Sequence, residues 1–378
     1  MKINNLELLY FRNYTSLNLD FHPSLNILVG NNANGKTNIV ESIFYLALAK
    51  SFRTRKDSEA VQFGQEAACI SCELVKDENH IDIMLAMNDK GKNAKIGGSK
   101  KSKLTDFVGE LNVVLFSPDD LQLIKGSPSL RREFIDREFY QFSRIYHKSS
   151  LMYKHLLKQR NAFLKDMRKD RNDEMAKIYL EELTLQLAKI ALFITRQRNE
   201  FVKQITYYAQ KSMDNISDSK EKLDIVYKSS ILESLKVGNL SLDSIDEKYV
   251  AELMMKRMHE DINTGSTRVG IHQDDLIFYI NSLDAKVYAS QGQQRSIVLS
   301  LRLAEIDFLK KETGYYPVLL LDDVLSELDK ERQSRLLDAI NENIQTFITA
   351  PSISDIKESL VENAKVFYIN QGNVEISK

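Results

Sequence analysis

The chain has 378 residues, 43% of them apolar, enough for a sizeable core and too many for a disordered polymer. Lys and Arg total 52 against 53 Asp and Glu, a net charge of −1, which excludes a simple polycation coating nucleic acid but leaves room for a local basic face. No basic-then-apolar leader opens the chain, and no uncharged apolar run nears the ~20 residues that span a bilayer, so a cytoplasmic protein without membrane contact is expected.

In chain order, alternation over Ile3–Phe21 predicts a hairpin turning at Arg12-Asn13-Tyr14. Leu25–Val29 is a short apolar strand running into Gly30, and Ile39, Ile43, Phe44, Leu46 and Leu48 mark a helix after Thr37. Residues 67–98 read as further hairpins, with a turn at Asn88-Asp89-Lys90-Gly91. The only cysteines, Cys69 and Cys72, sit three apart on one of these strands and so point to opposite faces. No second pair completes a four-ligand set, which predicts two ordinary thiols.

The texture changes near Pro128. Helical periodicity runs over 129–168 and 173–214, a polar break follows at 215–222, and a third helix is expected over roughly 245–262. Strands are predicted at Asp275–Asn281 and Ala285–Tyr288, then a helix Gln293–Lys311, a strand 317–321, a helix Lys330–Asn341, a strand Thr346–Thr349 and a hairpin Val366–Ile376. The organisation is therefore α/β, in three stretches: 1–128, a helical arm over 129–265, and 266–378.

Two distant segments carry the chemistry. Gly30-Asn31-Asn32-Ala33-Asn34-Gly35-Lys36-Thr37 fits G-x-x-x-x-G-K-[ST] and lies between a strand and a helix, as that phosphate-binding loop requires. Its backbone N–H groups and helix dipole suit phosphate oxygens, Lys36 the β- and γ-phosphates, and the Thr37 hydroxyl Mg²⁺. Val318–Leu321 ends in Asp322-Asp323. The expected roles are metal binding for Asp322 and orientation or deprotonation of the attacking water for Asp323.

With these residues in view, the chain resembles the ABC-type ATPase heads of the SMC superfamily, and is most similar to the bacterial RecF family of DNA-repair and recombination-mediator proteins. The resemblance rests on Phe11-Arg12-Asn13-Tyr14, on Pro118-Asp119-Asp120-Leu121 through Arg131-Arg132-Glu133-Phe134-Ile135-Asp136, on Ser290-Gln291-Gly292-Gln293-Gln294-Arg295, and on Leu320–Asp329. It implies a P-loop head with a mixed sheet, flanking helices and an inserted helical arm lobe. It also implies that Ser290, Gly292 and Gln293 act in trans on a nucleotide held by a second copy, and that Ser326–Asp329 is a D-loop at the seam. Arg12 and Asn13 are then expected near the nucleotide, and Gln122 in a metal-sensing Q-loop role. Asp323 stands where many such ATPases carry Glu, and Ala350 where transporters carry a histidine.

The function implied is that of an ATP- and Mg²⁺-dependent homodimer with weak, DNA-stimulated ATPase activity. It would bind single-stranded or gapped DNA in recombinational repair and replication, help load recombinase with RecR and RecO, and support the SOS response. Two lysine-rich patches are candidate DNA contacts: Lys90, Lys92, Lys95, Lys100, Lys101 and Lys103, and the arm's Lys154, Lys158, Arg160, Lys165, Arg168, Lys169 and Arg171. No base-reading motif is present, so backbone and junction shape are the expected targets. The alternatives are an ATPase subunit coupled to a transporter and a non-hydrolysing ATP-dependent DNA scaffold.

Overall fold

The computed structural model describes residues 1–167, 174–237, 240–339 and 343–376. The first hairpin is β1 (Lys2–Phe11) and β2 (Tyr14–Asp20), and β3 (Leu25–Val29) leads into α1 (Lys36–Leu48). The strands β4 (Ala67–Lys76), β5 (Asn79–Asn88), β6 (Gly91–Ile96) and β7 (Ser99–Lys100) continue the hairpins, and β8 (Val113–Phe116) closes the N-terminal stretch. Cys69 and Cys72 are free thiols on β4, the second buried.

The helical stretch comprises α2 (Gln122–Lys125), α3 (Pro128–Phe142), α4 (Arg144–Asp166) and the 44-residue α5 (Glu174–Ser217). The single helix expected over 129–168 is two, because Ser143 adopts extended geometry and its hydroxyl accepts from Tyr146 N–H, capping α4. After the break come β9 (Leu223–Lys228) and α6 (Ser230–Val237), neither of them anticipated, then α7 (Glu247–Lys256) and α8 (Met258–Thr264), which split the expected third helix at Arg257.

The C-terminal stretch holds β10 (Asp275–Ile280), β11 (Leu283–Asp284), α9 (Ala285–Tyr288), α10 (Gln291–Thr313), β12 (Val318–Leu321), α11 (Lys330–Ala339), β13 (Thr346–Ala350), α12 (Glu358–Val361), β14 (Ala364–Asn370) and β15 (Asn373–Ile376). The strand expected at Ala285–Tyr288 is a helical turn, because the Asp284 carboxylate accepts from Lys286 N–H and starts a helix there. The expected end of the Lys330 helix at 340–341 lies outside the described residues.

The described residues form three sheets. An antiparallel sheet runs β2-β1-β4-β5-β6-β7, and a small one β11-β10-β9. The third runs β15-β14-β3-β13-β12-β8, parallel from β14 to β8. Four of its strands, β3, β8, β12 and β13, are entirely buried and mostly apolar, as strands covered on both faces are, with Asn26, Thr346 and Thr349 as their polar members. The arm is not a separate body. One core cluster includes Leu6, Ile43 and Leu85 together with Leu187, Phe201 and Ile205 of α5, and the distal arm has a small core of its own, Leu164, Met167, Leu180 and Ile262.

The arm is joined to the rest by buried charge. Arg198 of α5 donates from Nη2 to Asp136 (2.8 Å), from Nη1 to Asp274 (2.9 Å) and from Nε to the Tyr146 hydroxyl (2.9 Å). A second buried cluster ties the N- and C-terminal stretches to each other: Arg302 of α10 is 2% exposed and holds both Asp120 (2.7 Å) and Glu305 (2.8 Å).

Candidate nucleotide site

β3 and β12 flank β13, and all three point their C-terminal ends at one crevice, where ligands of parallel α/β sheets bind. The phosphate loop leaves β3 and the Asp322-Asp323 pair leaves β12. The loop is tied down at several points. Gly30 N–H donates to Ala350 O, and a Cβ on Gly30 would sit 2.2 Å from Ile369 O, so only glycine fits. Gly35 has φ 114° and starts α1. Asn13 Nδ2 donates to Asn34 O (3.1 Å) and Asn38 Nδ2 to Asn13 Oδ1 (2.7 Å), which makes Asn13 a brace for the loop.

Lys36 is 3% exposed, and its Nζ lies inside the loop, 2.6 Å from Gly30 O and 3.3 Å from Asn31 O. Thr37 Oγ1 donates to Asp322 Oδ1 at 2.9 Å, bringing together two residues 285 positions apart. Burial raises the Asp322 carboxyl, and the Thr37 and Thr349 hydrogen bonds act against that rise. Asn31, Asn32, Ala33, Gly35, Lys36, Thr37, Asn38, Arg53 and Asp323 line a cavity of about 250 Å³. An ammonium, converging loop N–H groups, a hydroxyl and a buried carboxylate form a donor set that fits a triphosphate with Mg²⁺: Lys36 and the loop for the phosphates, Thr37 and Asp322 for the metal.

Other sequence candidates fall elsewhere. Arg12 does not line this cavity but, with Asn13, an adjoining groove, where its Nε and Nη2 grip the buried Glu41 carboxylate at 2.9 and 2.5 Å and its Nη1 reaches Glu59 O. The arginine at the cavity mouth is Arg53, which donates to Asn38 Oδ1 at 2.8 Å. No motif marks Arg53; it arrives because the Ser51–Thr54 segment folds back from the end of α1 onto Glu41. Gln122 lines a different cavity of about 460 Å³ between the sheet and the arm, together with Lys50, Arg132 and Lys154.

Ser290 caps α10 through a reciprocal box: its hydroxyl accepts from Gln293 N–H and its N–H donates to Gln293 Oε1. Gln293 also donates to Glu221 (3.0 Å), and Arg332 Nη2 donates to Gly292 O (3.1 Å). Ser290 is exposed, and neither it nor Gly292 nor Gln293 lines the cavity around Lys36. His272 is structural. Its Nδ1 pairs with the Tyr153 hydroxyl and its Nε2 with Thr267 O, and burial lowers its pKa.

The two basic patches also separate. Arg160 is fully buried and bonded to Asp261, Thr184 and Thr267, and Lys154 holds Asp136 and the Tyr140 hydroxyl. Arg168, Lys169 and Arg171 lie outside the described residues. In the other patch, Lys92 is taken up by Asp57 and Ala49 O. Lys95 and Lys100 are exposed directly opposite each other on β6 and β7, with Lys90 exposed at the turn before β6.

Residues 2–375 match the family model described as the RecF/RecN/SMC N-terminal domain. Among curated relatives, the DNA replication and repair protein RecF of Ligilactobacillus salivarius (strain UCC118) is 42% identical over 99% of this chain and 97% of its own. That of Staphylococcus carnosus (strain TM300) is 42% identical over 99% of this chain and all of its own. A solved structure of the recombination mediator protein RecF–ATP in the RecFOR pathway superposes with a TM-score of 0.90 at 32% identity, covering 100% of this chain and 98% of that one. The head of an SMC protein bound to the C-terminal winged-helix domain of ScpA has a TM-score of 0.54 at 16% identity over 100% of this chain and 97% of that one, a likeness of fold. The loop, the carboxylate pair and the distant signature thus sit on an SMC-type head, and the chain belongs to the RecF/RecN/SMC N-terminal domain family, in its RecF branch.

Proposed function

We propose that this protein is an ATP-dependent DNA clamp: two copies close face to face around two ATP molecules, hold DNA on their joint surface, and part after slow hydrolysis. The observation that carries it is the separation of Ser290, Gly292 and Gln293 from the cavity around Lys36 in the same chain. Ser290 presents an exposed hydroxyl at the N-terminus of a 23-residue helix, where backbone N–H groups favour an anion. A partner's γ-phosphate is the anion that the family resemblance supplies.

Bound Mg²⁺ would offset phosphate charge as it develops in the reaction. Lys36 and the loop N–H groups hold the phosphates, Thr37 and Asp322 position the metal, and Asp323 orients the attacking water. Arg53 places positive charge at the mouth. Asn38 and Arg53 also line an adjoining groove of about 680 Å³ that includes the exposed Phe63, and this groove would receive the ribose and base, with the Phe63 ring as a stacking surface. Light scattering with ATP is expected to give the mass of two chains and with ADP that of one. Ser290→Arg should bind ATP with near-parental affinity yet remain at one chain. A parent that stays at one chain with saturating ATP rejects the clamp.

The Lys95–Lys100 pair supports the DNA side of this reading. Like charges directly opposite across two strands repel, and the phosphate backbone is a ligand that relieves the repulsion. Lys95→Glu combined with Lys100→Glu is expected to weaken DNA binding at least ~10-fold at low salt and to flatten the slope of log K against log salt by about 2. An unchanged salt slope assigns the contact elsewhere. On this reading, which the RecF resemblance supports, the DNA binding would serve recombinational repair at single-stranded or gapped sites, with RecR and RecO as partners in recombinase loading and in supporting the SOS response.

A further inference from the structure

We infer that Thr349, at the C-terminal end of β13, is a positioning residue for ATP hydrolysis whose single hydroxyl sets the geometry of both Asp322 and Asp323. The inference rests on the ATPase reading above and extends it to a residue outside the phosphate loop and the carboxylate pair.

β13 lies between the strand that delivers the loop and the strand that delivers the carboxylates, so its tip touches both halves of the site. Ala350 O receives the N–H of Gly30, and the preceding residue, Thr349, faces the carboxylates. Thr349 is 1% exposed. Its Oγ1 accepts from the Asp323 backbone N–H at 2.8 Å, and it has one proton to give, with Asp322 Oδ1 at 3.0 Å and Asp323 Oδ1 at 3.3 Å both in reach. Asp322 Oδ1 already receives the Thr37 hydroxyl proton at 2.9 Å. The Thr349 proton can therefore serve Asp323 without leaving Asp322 unbonded.

The backbone contact matters as much as the side-chain ones. Asp323 has φ 53°, a left-handed conformation that non-glycine residues rarely adopt. Its N–H is anchored by Thr349, so the direction in which the Asp323 carboxylate leaves the chain is set from β13. Asp323 is one methylene shorter than the glutamate of many related ATPases, which leaves less side-chain freedom to correct a misplaced backbone. Thr349 thus stands next to the position that transporters fill with histidine, here Ala350, and acts on the carboxylate side of the site.

Thr349→Val keeps the branched shape and removes both the acceptor and the donor; Thr349→Ser keeps the hydroxyl. Four quantities are compared in the full-length protein with Mg–ATP: turnover, ATP Kd, melting temperature, and the lifetime of the ATP-formed dimer after dilution. For Thr349→Val, turnover is expected to fall at least about tenfold, the size of a misplaced general base. ATP Kd should stay within about threefold and the dimer should persist longer. Thr349→Ser should recover turnover to within about threefold of the parent. Parental turnover in a folded Thr349→Val overturns the inference. So does a joint loss of ATP binding, melting temperature and turnover that serine does not rescue, which marks a purely structural hydroxyl. A parent that binds ATP and never hydrolyses it instead overturns the ATPase reading itself, and the inference with it.

Discussion

Lys36→Ala is expected to lower ATP affinity at least roughly 10- to 100-fold while leaving the fold intact. The ammonium is the one full positive charge inside the loop, and a hydrogen bond to a charged group contributes about 1.5–3 kcal/mol, tenfold for every 1.4. Its present partners, Gly30 O, Asn31 O and Asn32 Oδ1, are neutral oxygens at the cavity, so truncation strands no buried charge and the melting temperature should move little. The loss should propagate. If ATP is what joins two copies, the variant stays at one chain at ATP concentrations that saturate the parent, and the avidity of two DNA surfaces disappears with it. Equilibrium nucleotide binding and light scattering read the two effects separately. Parental ATP affinity in Lys36→Ala would remove this lysine from the site.

Arg198→Met should be the most destabilising single change near the arm. Arg198 is 3% exposed on its side chain and serves two acids, Asp136 of α3 and Asp274 just before β10. Removing one partner of a buried ion pair leaves uncompensated charge and costs about 3–5 kcal/mol, a drop of roughly 4–6 °C in melting temperature for a chain of this size. The same network carries a pH signature. Burial alone would raise the Asp136 carboxyl, but the Arg198 and Lys154 cations, with the Arg198 and Tyr146 hydrogen bonds, outweigh it and hold the pKa at about 2. A carboxylate depressed in the folded state favours folding above its unfolded pKa of about 4, and that contribution is lost as pH falls toward 2. The parent should lose stability over this window more steeply than Arg198→Met, in which the depression is largely gone. Calorimetry at pH 7, 4 and 2.5 checks both; equal melting temperatures at pH 7 would refute the first claim.

Most elements could be read from the chain wherever periodicity was strong and the punctuation local. Leu25–Val29 and the 317–321 run are mostly apolar and close abruptly at a glycine and at an acid pair, so their bounds match the observed strands to within one residue. The misreadings have local causes that hydrophobic pattern does not carry. Ala285–Tyr288 has strand-like residues, yet the Asp284 cap turns it into a helix. Ser143 breaks a periodic run by capping rather than by composition. β9 follows a polar break and is short, and it becomes a strand by pairing with β10.

By itself, the sequence determined the chemistry available: a glycine-framed loop with Lys36 and Thr37, an acid pair at the end of an apolar strand, a Ser290–Arg295 signature leading into a helix, and the family to which these belong. Such motifs are local because a tight backbone turn or a helix start needs particular residues at fixed spacing. Only the tertiary structure decided which side chains face one another. It turned Arg12 inward onto Glu41 and set Arg53 at the cavity mouth, buried Arg160 in the arm, left Lys95 opposite Lys100, and placed Thr349 between two carboxylates. These outcomes depend on strand order and on the desolvation of individual charges, where a buried arginine must find a carboxylate and an exposed one need not. Neither strand order nor burial is a property of residues adjacent in the chain.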